Sequence, residues 1–365
     1  MNPPMVENIL AQPAALRAVM NYQYGEGRDS LLAAADLLRS SKRIVLSGMG
    51  ASLYACIPLS NFLASRGVAV SVVETSELLY FQTNILNSDT ALVLVSRSGE
   101  SVEATKLLPA AREHGCKIVG VVNVPGSSLA KQSTQRILLN CPPDQLVAIQ
   151  TYTASLIVLE LLGSAVAGAL DGGVQTQLAK TIDVLSECVP EWFRFSGSWP
   201  GFFAHGVPLY LLGRGPSLAS AQAGALLLHE VAKMPAIALS LPQFRHGPVE
   251  VVNDRFRAII FGSQRATASL DGTLAERIVQ MGGNVRWIGP ASQHPAVVPL
   301  CPWPEGVPDR FTPVVEIIPM QMAAFHTAEW QGFTAGEFKY ATPVTLSEQD
   351  FAPLLASLST SVGTA

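Results

Sequence analysis

One strand-and-helix pattern is written twice into this chain of 365 residues. The stretch "RIVLSGMGASLYA", from Arg43, resembles "PLYLLGRGPSLAS", from Pro208, and Gly48, Gly50 and Ser52 match Gly213, Gly215 and Ser217 at a constant offset of 165 residues. Within the first copy, apolar β-branched runs alternate with helical ones. "RIVLSG", "VAVSVVE", "ALVLVS" and "CKIVGVVN" are separated by stretches such as "ASLYACIPLSNFLASRG" and "SVEATKLLPAAREHG". Strands apolar along nearly their whole length are buried on both faces, the condition of a parallel sheet covered by helices on each side. Two copies of such a unit predict an α/β protein of two tandem domains, each a sandwich of helices around a central parallel sheet. The helical run "TYTASLIVLELLGSAVAGAL", from Thr151, closes the first half.

Composition agrees with two cores. Hydrophobic residues make up 48% and charged residues 14%, too apolar for a disordered chain. The net charge is -4, with no clustered Lys or Arg, so neither a nucleic-acid nor a membrane partner is expected. The five cysteines are odd in number and none stands in a C-x-x-C pair. That suits reduced thiols in the cytoplasm and argues against a structural zinc site. The opening "MNPPMVENILAQPAALRAVM" lacks the basic start and apolar run of a secretory signal. "LIVLELLGSAVAGAL" is interrupted by Glu160 and too short to span a bilayer, so it reads as a core helix. A cytoplasmic protein is the expectation.

The stretch "VLVSRSGES", Val93 to Ser101, runs an apolar strand into hydroxyls around a glycine. Ligands of parallel sheets sit beyond the carboxyl ends of the strands. There a helix N-terminus offers unpaired N–H groups, serines add donors, and Gly99 lets the backbone approach. That set suits a phosphate without a lysine, and "SGMGAS", Ser47 to Ser52, ends a second strand able to line the same pocket. The residues alone leave a plain turn equally open, with Ser101 as an N-cap. The duplication favours the anion site. Ser96 corresponds to Phe261, and the second loop reads "FGSQRA", so two of the three serines lack a hydroxyl counterpart. Neither a Walker loop nor a dinucleotide fingerprint is present, since Leu53 stands where the third glycine of "GMGASL" belongs.

Two further residues carry possible chemistry. Glu230 lies on a helix starting near Pro216, with Leu226 and Leu227 one turn back, and partial burial would make it a base near neutral pH. Exposure to solvent, or pairing with Lys233, is the plainer alternative. His246, in "FRHGP", is presented from a turn; a loop histidine is a proton shuttle or simply a surface residue. His114, His205, His229, His294 and His326 show no spacing signal and are read as structural.

Taken together, "GMGAS", "SRSGES" and "LGRGPS…HEV…FRHGP" resemble the sugar isomerase (SIS) domain family, with two such domains in tandem as in the isomerase half of glucosamine-6-phosphate synthase and in stand-alone phosphosugar isomerases, deaminases and deglycases. "ENILAQPAALRAVM" is similar to the family's opening helix and "GEFKYATPVT" to its C-terminal tail. The resemblance implies two flavodoxin-like SIS domains, at 35–172 and 195–330, after a helical arm at 1–34 and before a tail at 331–365 near the active site. It implies that Ser96, Ser98 and Ser101, with Arg97 between them and Gly50, Ala51 and Ser52 from the neighbouring loop, hold a sugar phosphate. Glu230 is then the base that moves a proton between adjacent sugar carbons, and His246 reaches in from a partner subunit to assist ring opening. A homodimer or higher homo-oligomer with shared sites, and no metal or other cofactor, follow from the same resemblance.

Several residues depart from that pattern. The family lysine before the glutamate is Leu227 here, and the tail has Pro343-Val344-Thr345 where a lysine is usual, which leaves Lys339 as a nearby stand-in. Arg97 replaces a common glutamine. No cysteine nucleophile follows Met1, so glutamine-dependent synthesis is not expected. The expectation is an enzyme acting on a phosphorylated sugar or sugar-amine by isomerisation, deamination or deglycation. The alternative is a sugar-phosphate-binding regulator; no helix-turn-helix precedes Arg43.

Overall fold

The apolar runs of the first half become five parallel strands: β1 (Arg43–Gly48), β2 (Val70–Glu74), β3 (Thr90–Ser96), β4 (Lys117–Val122) and β5 (Gln135–Leu138), in the order β2-β1-β3-β4-β5. A second sheet of five parallel strands holds β6 (Leu209–Gly213), β7 (Ala236–Ser240), β8 (Arg257–Phe261), β9 (Asn284–Ile288) and β10 (Val298–Pro299). Its order, β10-β9-β8-β6-β7, is that of the first sheet read from the other edge. The computed structural model describes residues 2–203, 208–342 and 344–348; His205, Pro343 and the tail beyond Glu348 lie outside the described residues.

Two helices, α1 (Pro4–Tyr24) and α2 (Arg28–Arg39), precede β1. In the first half, α3 (Ala51–Ala64), α4 (Thr75–Phe81), α5 (Val102–Glu113) and α6 (Ser128–Gln132) connect the strands, and α7 (Gln150–Val166) follows β5. The helix read as running to Gly67 stops at Ala64, where Gly67 N bonds back to Ala64 O at 3.0 Å in a tight turn. The helices α8 (Gly172–Ser196) and α9 (Pro200–Phe203) lead into the second half. There α10 (Ser217–Glu230), α11 (Leu241–Arg245) and α12 (Ala268–Gln280) link its strands, and α13 (Thr312–Trp330) follows β10.

Successive strand side chains point to opposite faces, and the core divides accordingly. Ile44 and Leu46 of β1 join a large core with α1, α2, α3 and α7, while Val45 joins Leu92, Leu94 and Leu107 on the opposite face. In the second half Leu211 and Ile259 face the large core; Leu212 and Ile260 pack with Phe244 and Ile278 on the other side. The large core is continuous through both halves, and α7, buried along its whole length, lies within it. Glu160, the one charge in α7, is matched from the second half by Arg310, whose Nε lies 3.1 Å from its carboxylate.

One polar cluster fixes how the halves meet. Gln12 of α1 donates Nε2–H to Gln321 of α13 at 2.7 Å and accepts from Thr153 Oγ of α7 at 3.0 Å, all three residues being buried. Buried amides without partners are costly, so this triangle selects one register of the three helices. Gln12→Ala leaves the buried Gln321 amide oxygen without its donor, while Thr153 Oγ1 keeps Gln150 O and Gln321 Nε2 keeps Ile149 O, and is expected to lower stability by about 1–3 kcal/mol in urea unfolding. A change within error would show that the cluster does not hold the helices together.

Candidate functional site

In the first sheet the chain passes from β1 outward to β2 and then crosses back to β3 on the other side of β1, so the strand order reverses between β1 and β3. A crevice opens at such a switch point, beyond the carboxyl ends of the strands. The loops after β1 and β3 lead there into α3 and α5, so both helix N-termini face one cavity of about 280 Å³.

The β3–α5 loop is held by its own side chains. Ser96 Oγ accepts from Gly99 N at 3.1 Å, and Ser98 Oγ accepts from Glu100 N at 3.2 Å. In these bonds each oxygen accepts, which leaves the hydroxyl proton to donate toward the cavity. Gly99 has φ +67, and a Cβ there would strike the Ser127 side chain. The Glu100 carboxylate accepts from Ser128 N at 2.6 Å, tying the loop to α6. Gly50, φ +50, turns the chain from β1 into α3, and Leu226 from α10 packs against it.

Glu230 is the last residue of α10, which packs on α3 across the boundary between the halves. Burial pushes its carboxyl from the ordinary 4.5 up to about 7, opposed by the nearby charges of Arg97 and Lys233. Lys233, at φ +53, folds back so that its Nζ donates to the carbonyls of Glu230 and Glu337. It thereby caps the helix end that carries Glu230 and ties it to the C-terminal segment. Arg97 also donates to Leu146 O at 3.4 Å.

The residues singled out in the sequence fall into two groups. Gly50, Ala51, Ser52, Ser96, Arg97, Ser98, Ser101 and Glu230 all line the cavity. His246 and Lys339 do not: His246 is exposed at the end of α11, and Lys339 Nζ lies 5.0 Å over the Tyr340 ring. Leu227 lines the wall beside Glu230.

Other residues complete the wall, among them members of the C-terminal tail that the resemblance puts near the site. Tyr152 of α7 lines the cavity and donates its hydroxyl to Ala219 O at 3.3 Å, bridging the two halves. Phe338, Thr342, Val344 and Thr345 bring the C-terminal segment across the mouth, where Val102 N of α5 donates to Thr345 O at 3.0 Å. Glu348 continues this attachment with Lys106 at 3.0 Å and Tyr80 at 2.5 Å. The quoted "GEFKYATPVT" was the only sequence signal for it.

Comparison with known proteins places residues 37–165 in the SIS domain family. The chain is 28% identical over 334 residues to "Glutamine--fructose-6-phosphate aminotransferase [isomerizing]" of Pyrococcus horikoshii, covering 90% of this chain and 55% of that protein. It thus spans about half the length of the curated relatives it matches. Its fold is that of the C-terminal domain of glucosamine-fructose-6-phosphate aminotransferase from Francisella tularensis, with TM-score 0.78, 20% identity, and 92% of this chain and 99% of that one covered. Tagatose-6-phosphate ketose/aldose isomerase from Escherichia coli matches with TM-score 0.78 and 22% identity, over 95% of this chain and 97% of that one.

Burial of Glu230 has a stability consequence. Its folded value lies above the unfolded one, so the unfolded chain releases this proton first. The destabilisation grows as pH rises from about 4.5 to about 7 and is constant above, on the order of 3 kcal/mol in total. Glu230→Gln is expected to leave stability near pH 4 almost unchanged and to raise it above about pH 8, read by urea unfolding across pH. Equal gains at both ends would show that burial of the charge is not the cause.

Proposed function

Since residues 37–165 form a SIS domain, we propose that this chain is a phosphosugar-processing enzyme that moves a proton between adjacent carbons of an open-chain sugar phosphate. The observation that carries the reading is the meeting of Glu230 with the serine loop in one cavity. The hydroxyls of Ser52, Ser96, Ser98 and Ser101 hold the phosphate, favoured by the positive N-terminal ends of α3 and α5. Arg97 adds a positive charge between the loop and Glu230. Binding energy at the phosphate then orients carbons at the far end of the sugar.

Glu230, with a pKa about 7, takes the proton from the carbon next to the carbonyl. The electron pair moves into an enediolate, the proton of the neighbouring hydroxyl passes to the former carbonyl oxygen, and return of the carbon-bound proton to the former carbonyl carbon completes an aldose–ketose isomerisation. The same abstraction serves a sugar-amine phosphate by deamination or deglycation. Leu227 in the wall where the resemblance calls for a lysine favours chemistry that needs only a carboxyl base. His246 acts as acid for the ring or leaving group from a second copy of the chain, since in its own copy it lies away from the cavity; Lys339 is held in reserve beside Phe338. The reading therefore includes a homodimer or higher homo-oligomer, two flavodoxin-like SIS domains with the boundaries given above, and a cytoplasmic location. Among the described residues no helix is long and apolar enough to cross a membrane.

Turnover is measured against fructose 6-phosphate, glucosamine 6-phosphate and 6-phosphorylated sugar–amino acid adducts. Glu230→Gln is expected to lower turnover by about 10²–10⁴-fold while phosphosugar binding changes little. Full activity in that variant would remove Glu230 from the chemistry, and phosphosugar binding without turnover in the unaltered protein would make it a regulator. The base must be ionised, so turnover rises with pH through about 7. Arg97→Gln withdraws a charge that favours the ionised form and is expected to move that rise to higher pH; an unmoved or lowered midpoint would contradict the assigned contact.

A further inference from the structure

The chemistry above makes no use of Glu316, a fully buried carboxyl in α13. Three hydroxyls converge on it. Ser217 Oγ donates to Oε1 at 2.7 Å, Ser220 Oγ to Oε2 at 2.5 Å, and Ser263 Oγ to Oε1. Under the offset of 165 residues, Ser217 is the counterpart of Ser52, and Ser263 that of Ser98. Their places in the fold agree: Ser217 opens α10 and Ser263 follows β8, as Ser52 lies at the start of α3 and Ser98 follows β3. In the first half these hydroxyls line an open cavity, whereas in the second they close on a side chain. The first turns of α7, the helix corresponding to α13, hold Thr151, Tyr152 and Thr153 and no carboxylate.

A carboxyl removed from water is kept only where other donors replace its hydration. Here they come from the two loops that form the phosphate cradle in the other half. Burial raises the Glu316 pKa, and the three serines counter that rise. Ser263 also borders a second cavity, of about 410 Å³, shared with Arg265 and Thr312, which gives a route from solvent.

We infer that the second half holds a duplicate oxyanion site of the same design, filled by the Glu316 side chain, so that external phosphate is taken up in the first half alone. The ligand this site would take once emptied is phosphate or a phosphate ester. Only the count in the first half rests on the function proposed above; the second site stands on its own contacts.

Equilibrium dialysis against inorganic phosphate tests it. The unaltered chain is expected to bind one phosphate and Glu316→Ala two. No phosphate on the unaltered chain and one on the variant would support the duplicate site while defeating the first-half cradle. Equal numbers on the two folded proteins, or two on the unaltered chain, would overturn the inference. If Glu316→Ala does not fold alone, refolding is compared in phosphate or formate and in chloride at equal ionic strength. Recovery with the oxyanions only supports the inference, and no difference between the salts overturns it.

Discussion

The packing of α10 on α3 is the contact on which the proposed chemistry depends. Each half alone lacks part of the site. The first supplies the serine loop and two helix N-termini; the second supplies Glu230, delivered by α10 across the boundary. Leu226 seated against Gly50 makes the contact close, and Tyr152 with Ala219 spans it from the other side. The contact also shields Glu230 from water, which accounts for its elevated pKa. Position and acidity of the Glu230 carboxyl therefore have one physical origin.

Duplication explains the architecture, and divergence explains its asymmetry. The two sheets have the same strand order, and equivalent loops leave them at equivalent places. One pair of loops faces an open cavity, and the other is occupied from within by Glu316. Once its loops are closed in this way, the second half is left to present α10 and brace the boundary. The continuous core through α7 and α13, with its Gln12–Gln321–Thr153 cluster, does the latter.

Much of this was legible in the sequence because it is written in local patterns. Apolar strands ending in Gly48 and Ser96 located two adjacent central strands of the first sheet and the loops beyond their carboxyl ends. Leu226 and Leu227 beside Glu230 were enough to suggest its burial. What escaped depends on long-range placement. The C-terminal segment was expected near the site only from the resemblance; its exact contacts, with residues far away in sequence such as Val102 and Lys106, have no periodicity to announce them. Tyr152 sits within a helix buried on every side and carries no sign of which way it faces. Glu316 did leave a signal, a lone acid in "VVEIIPM", comparable to Glu160 in "LIVLELL". Its meaning emerged only when Ser217, Ser220 and Ser263 were brought around it. His246 and Lys339 stand outside the cavity of their own copy, a separation that spacing along the chain does not encode.

The central claim is that a carboxyl base exchanges a carbon-bound proton of a phosphate-anchored sugar. Incubation of the protein with fructose 6-phosphate and the other phosphosugars in D₂O, followed by NMR of the recovered sugar, tests it most directly. The account predicts that deuterium enters at the carbon beside the carbonyl of at least one of them, at a single prochiral position. Saturable binding of those sugars with no exchange at that carbon would contradict it.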